Sequence, residues 1–174
     1  MMMAVLLAAT VAASPAPPAA PSTVDASAIP NYHLVRPGLA TAGQPTEQGL
    51  AQLKALGFKT VINLRLPIEK WTGNEEETVK AQGLHYVTVP INPLTFGAEE
   101  VAAVRAVLDD PSAGPVLLHC ASANRSAAVW GVIEVERGRS IEEVEAEAVK
   151  VGMTSATMTN AFRRVARERA AARK

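Results

Sequence analysis

The sequence predicts an α/β domain with a mainly parallel central sheet of about four to five strands flanked by helices. Two observations predict it. Short apolar or β-branched runs alternate with longer runs of helical period, the order expected when parallel strands cross over through helices and both sheet faces are covered. The run Pro115-Val116-Leu117-Leu118-His119-Cys120-Ala121-Ser122-Ala123-Asn124-Arg125-Ser126 then reads as a buried strand, a tight loop and the start of a helix, continued by Ala127 to Ile133.

The 174 residues suit one domain, and the apolar content permits a full core. Formal net charge is zero, which excludes the basic excess of a nucleic-acid binder. One cysteine excludes an internal disulfide, and His33, His85 and His119 have no zinc-ligand spacing. Neither a metal nor another cofactor is therefore expected.

Residues 1–13 read as the apolar part of a secretory signal, with Val11 and Ala13 fitting the small-residue rule for a cut ahead of Ser14. The run is too short to span a bilayer. No cysteine stands at the cut to carry a lipid, so no stable membrane association is expected after cleavage. The expected location is periplasmic or secreted, and cytoplasmic if this start is not a signal. Residues 14–28, rich in Ala and Pro, read as a linker, and residues 29–174 as the domain proper.

Within it, Asn31 to Val35 and Leu39 to Gly43 read as two strands across the turn Arg36-Pro37-Gly38. Thr46 is an N-cap for a helix carrying Leu50, Leu53 and Leu56, closed by Gly57. Lys59 to Leu64 is a β-branched strand. Residues 74–82 suit a helix capped by Asn74, with Glu75, Glu76 and Glu77 in the first turn, where anions suit the dipole. Leu84 to Val89 is a strand, Pro90 to Phe96 a loop, and Gly97 to Asp110 a helix. After the strand-loop-helix unit, Ser140 with Glu143 forms a capping box. Thr154 begins a last helix to about Arg169, with Met158, Ala161, Phe162, Val165 and Ala166 on its apolar face. Its Arg163, Arg164, Arg167 and Arg169 read as a solvated face. Ligands of such sheets sit at the carboxyl ends of the strands, so Arg65 to Trp71, Pro90 to Thr95 and Cys120 to Arg125 should converge.

The loop after Leu118 has the chemistry of an anion site. Amide N–H groups of a tight loop and a first helical turn have no intrahelical partners and point at a bound oxyanion. The same partial positive charge favours the thiolate form of a thiol placed there, and the thiolate is the nucleophile. Arg125 can fork two oxygens of the anion.

His119-Cys120, small residues, then Arg125-Ser126 resembles the active-site loop of cysteine-dependent phosphatases, and the region 30–170 resembles their dual-specificity fold. Most such loops hold five residues between Cys and Arg; here there are four. A four-residue spacing is similar to that of the phosphatase-like family associated with beta-lactamase-like hydrolases, and to that of rhodanese sulfurtransferases. Leu39 to Thr46, with its Gly-Gln-Pro turn, and Thr60-Val61-Ile62-Asn63-Leu64-Arg65 resemble the first of these. One departure is Ala123, where a glycine is usual and where a methyl group restricts φ.

The resemblance implies a hydrolase of phosphate monoesters, its substrate a phosphorylated protein or small molecule. Cys120 would attack phosphorus and form a thiophosphoryl intermediate. Cys120, Ala121, Ser122, Ala123, Asn124 and Arg125 would cradle the phosphate, Arg125 clamping its oxygens as charge spreads. Ser126 would hydrogen-bond the thiolate or serve only as a first-turn serine. His119 would orient the loop rather than act as base, because neighbouring strand residues face opposite sides.

Such enzymes also need a leaving-group acid, usually an aspartate on a neighbouring loop. The three aspartates, Asp25, Asp109 and Asp110, lie in the linker or before the last strand, and Asn92 stands where an acid would serve. Glu69 is the nearest donor, beside Arg65, which either adds positive potential or pairs with it. The alternatives are a sulfurtransferase carrying a persulfide on Cys120 and a silent anion-binding module.

Overall fold

The computed structural model describes residues 25, 27–69, 71 and 73–173. The signal reading of residues 1–13 and most of the linker lie outside them. The described end of the linker is folded: Asp25 O accepts the N–H groups of Ala28 and Ile29, at 3.0 and 3.1 Å, and both are buried.

Five strands form one sheet: β1 (His33–Arg36), β2 (Leu39–Ala42), β3 (Thr60–Asn63), β4 (His85–Thr88) and β5 (Val116–His119), in the order β1-β2-β5-β3-β4. Only β1 runs antiparallel, joined to β2 by the Pro37-Gly38 turn. The parallel strands β2, β5, β3 and β4 end in register, with Ala42 beside His119, His119 beside Asn63 and Asn63 beside Thr88. This brings the loops that leave them to one edge.

Two helices, α1 (Glu47–Gln52) and α2 (Glu75–Ala81), cover one sheet face over Ala40, Val61 and Leu117. Four cover the other, over Leu39, Ile62 and Leu118: α3 (Ala98–Asp109), α4 (Asn124–Glu136), α5 (Ile141–Lys150) and α6 (Ala156–Ala171). The alternation of these strand residues between two apolar layers is the period-2 pattern of a sheet buried on both sides.

The expected caps form. Thr46 accepts from Gly49 N–H at 3.1 Å, Asn74 from Glu77 N–H at 3.2 Å and Ser140 from Glu143 N–H at 3.3 Å. Two helices are shorter than the sequence suggests. α1 stops at Gln52, because Gly57 N–H turns back to Lys54 O in a tighter turn. α6 starts at Ala156 and not at Thr154, because Ser155 is extended at φ −80° and ψ 126°.

α4 is buried along almost its whole length. Gly131 lets α6 approach it: a Cβ there would lie 2.9 Å from the Phe162 ring. Phe162 is fully buried, which is worth about 3 kcal/mol. The arginines of α6 are more engaged than a solvated face requires. Arg163 pairs with Glu145, Arg164 donates to Phe96 O at 2.7 Å, and Arg169 pairs with the largely buried Glu136. Among the described residues no helix is long and apolar enough to cross a membrane.

Candidate active site

Arg125 is where the three loops meet. It opens α4 and is 8% exposed. Its Nη1 donates to Leu64 O and Ile91 O, both at 3.3 Å, and to Glu69 Oε1. Its Nη2 donates to Glu69 Oε2 at 2.7 Å. The carboxylate thus sits end-on across the two terminal nitrogens, a bidentate pairing. A guanidinium has five N–H donors. Its remaining donors face the side on which the Cys120 sulfur is hydrogen-bonded.

Burial works against the Arg125 charge, but the hydrogen bonds to Glu69 and the charge and hydrogen bond of Cys120 outweigh it and raise its pKa. The sulfur is therefore a near neighbour of the guanidinium. Cys120 is fully buried on the same sheet face as Ile62 and Leu118, and its N–H donates to Ala42 O at 3.3 Å. The outer residues of the loop, Ala121 and Ser122, are exposed. An antiparallel bridge pairs Ser122 with Gly43, and the first N–H groups of α4 have no intrahelical acceptor.

The loop is held from three sides. Gln44 N–H donates to Ala121 O at 3.1 Å. Ser126 Oγ is directed at Ala42 O and Ala123 O, at 3.1 and 3.0 Å. Asn124 Oδ1 accepts from Thr154 N–H and Ser155 N–H, at 2.8 and 2.7 Å, so one side chain ties the loop to the start of α6. Ala123 takes the left-handed conformation at φ 71° despite its methyl group. That methyl packs on Gly152, where a Cβ would lie 2.6 Å from it. Gly152 itself has φ +114°.

Behind the loop, on the α1/α2 face, His119 Nε2 approaches Glu75 Oε1 to 2.6 Å, with both side chains buried. Gln44 Nε2 donates to Glu75 Oε2 at 3.0 Å, and Gln44 Oε1 accepts from Arg65 Nη1 at 2.6 Å. Burial alone would raise the Glu75 pKa; His119, Gln44 and Arg65 together bring it below the usual value. Arg65 also donates to Glu69 O at 2.9 Å and lies over the Trp71 ring at 5.8 Å. Asn63, at the end of β3, donates to Tyr86 OH at 2.8 Å and accepts Arg65 N–H. Burial, with the nearby Glu75 charge, pushes Tyr86 up to about 12.

The model of the "Beta-lactamase hydrolase-like protein, phosphatase-like domain" matches residues 31–136, from before β1 to the end of α4. The chain belongs to this family. A beta-lactamase hydrolase-like protein of Xylella fastidiosa is 32% identical over 113 residues, 62% of this chain but 26% of the relative's length. The chain thus matches about a quarter of that curated relative. A candidate phosphatase (DUF442) of Shewanella putrefaciens CN-32 superposes with a TM-score of 0.70 at 23% identity, covering 84% of this chain and 92% of that one. The core catalytic domain of the PP-IP phosphatase SIW14 of S. cerevisiae gives 0.66 at 15% identity, covering 76% and 83%. The fold is that of the phosphatase-like family.

Within that frame, two site expectations change. Glu69 is not poised as an acid: its hydrogen bond from Arg125 lowers its pKa against the pull of burial, and Leu66 N–H donates to it at 2.8 Å. It positions Arg125 instead. Ser126 directs its single proton at two backbone carbonyls, as a first-turn serine does. Asn92 shapes its own turn, accepting Leu94 N–H at 3.0 Å. Arg65 pairs with the Glu69 segment, the second of its two expected roles. Sequence reasoning missed Glu75, read there only as a first-turn anion. Its signal was the Gly-Gln-Pro turn, whose Gln44 reaches both it and the loop.

Proposed function

We propose that this protein is a cysteine-dependent phosphatase that hydrolyses phosphate monoesters through a thiophosphoryl intermediate on Cys120. The observation that carries the reading is the Arg125 guanidinium, held end-on by Glu69 and hydrogen-bonded to the Cys120 sulfur. Full burial of a thiol alone fits a structural cysteine. A cation placed next to it at a helix start supports the binding of a dianion against the sulfur instead.

In this reading Cys120 attacks phosphorus in line, while Arg125 and the loop amides hold the equatorial oxygens and gain strength as charge spreads there. Water then attacks the thiophosphoryl group, releasing phosphate and the thiolate. Glu69 fixes the Arg125 plane. His119, Glu75 and Gln44 hold the loop from behind. The substrate is a phosphorylated protein or small molecule. The apolar residues 1–13 support work in the periplasm or outside the cell.

The test uses purified protein in reducing buffer with an aryl phosphate. Turnover is expected, with a mass gain of one phosphoryl group on quenched protein and a fall of at least about 10³-fold in Cys120→Ser. A mass gain of one sulfur from thiosulfate, with no phosphoryl transfer, would replace this reading with sulfur transfer. Neither adduct, with phosphate still bound, would leave an anion-binding module.

A further inference from the structure

In this reading the site has a nucleophile and an anion clamp, but among the described residues the groups around it do not include a carboxylic acid placed to protonate the leaving oxygen. Of the three aspartates, Asp25 lies in the N-terminal turn, and Asp109 and Asp110 lie ahead of β5, at the edge of the sheet opposite the loop. The loop 89–97, which reaches Arg125 through Ile91 O, is Val-Pro-Ile-Asn-Pro-Leu-Thr-Phe-Gly and carries no ionisable side chain. Of the two carboxylates that follow it, Glu99 is exposed and Glu100 accepts Gly97 N–H at 2.9 Å. Glu69 is held as an anion across Arg125, and Glu75 and His119 face each other on the other side of the sheet.

We infer that the site acts on activated phosphoryl groups, those whose leaving oxygen departs as a stable anion: aryl phosphates, acyl phosphates and phosphoanhydrides. Alkyl phosphates are poor substrates. The inference rests on Cys120 as the nucleophile and narrows what it can attack. In the first step the Cys120 sulfur forms the S–P bond and the P–O bond breaks, its electron pair staying on the leaving oxygen. A phenolate, carboxylate or phosphate accepts that pair without a proton. An alkoxide does not, and an acid that would protonate it is worth about 10²–10⁴ in rate. In the second step a water oxygen bonds to phosphorus and the S–P pair returns to sulfur. The water's proton leaves on phosphate or into solvent.

The experiment measures kcat/KM on the whole protein for aryl phosphates graded by leaving-group acidity, for glycerol 3-phosphate, for acetyl phosphate and for inorganic pyrophosphate. Each is corrected by Cys120→Ser. A steady decline with leaving-group basicity is expected, reaching at least about 10³-fold between a nitrophenyl and an alkyl leaving group. The acetyl phosphate and pyrophosphate arms distinguish acyl from anhydride donors, and at least one should fall on the activated side. A flat, Cys120-dependent series overturns the inference and leaves the nucleophile standing. A flat series that turns steep in Glu69→Gln overturns it by naming Glu69 as the acid. Turnover of the activated donors that survives Cys120→Ser removes the nucleophile, and the inference with it.

Discussion

Two glutamates flank the end of β5, and the environment of each fits a different task. Glu69 lies on the Cys120 side, its side chain 25% exposed, and spans the end of Arg125. Glu75 lies on the His119 side at 5% exposure and is enclosed by His119, Gln44 and Arg65. Both stay below the usual carboxylate range, Glu69 chiefly through the Arg125 hydrogen bond and Glu75 because three partners together overcome burial. The difference lies in what is left over. Beyond Glu69 the same cation reaches the Cys120 sulfur. Around Glu75 the partners turn toward one another and tie the Gly-Gln-Pro turn, α2 and β5 together. One strand end thus carries a reactive face and a bracing face on consecutive residues.

The sharpest way to break this contrast is Arg125→Lys. It keeps the charge but loses the planar fork, so both the Glu69 pairing and the ligand edge go together. Aryl phosphate turnover should drop about 10²–10³-fold, with a smaller change in melting temperature. Equal losses in Glu69→Gln would make the carboxylate as important as the cation and erase the proposed division of labour.

Glu75→Gln attacks the other face. It should cost about 1–3 kcal/mol of stability, read by denaturant unfolding, because His119 and Arg65 lose a buried anionic partner. Its pH dependence has a fixed sign. The folded-state pKa of Glu75 is depressed. Its stabilisation is present above the ordinary carboxylate value and is lost as pH falls through the folded value. The wild type should therefore lose stability from about pH 5 downward, and Glu75→Gln should lose less over the same interval.

The smallest effect sharpens the comparison at the loop itself. Gly152→Ala forces a Cβ against Ala123 at a φ of +114° and should cost about 1–3 kcal/mol. Ala123→Gly in that background removes the clash and should restore part of the loss, whereas additive costs would show that the two positions do not touch in solution.

The fold was legible because its signals are local. Thr46, Asn74 and Ser140 announced three helix starts, and the alternation of Val61 with Ile62 and of Leu117 with Leu118 between layers follows from the strand period. The opposite facing of His119 and Cys120 came from the same period. Partners distant in sequence were not legible. Glu69 looked like a spare carboxylate near a site that wanted an acid, and its pairing with Arg125 crosses 56 positions. Asn124 was read as part of the phosphate cradle, yet its side chain also accepts from the segment ahead of a helix 30 residues away. Ala123 was read as an obstacle to the loop's conformation, but the absence of a side chain at Gly152 gives its methyl somewhere to go.

The end-on contact between Glu69 and Arg125 has a directional consequence. In the proposed reading, a tetrahedral ion entering the loop would meet the guanidinium along the rim that Glu69 leaves, beside the sulfur, with the rest of its oxygens left to the main chain. Three atoms that tumbling makes identical in water would become distinct when held there. Such a grip would be handed, although the ion is not.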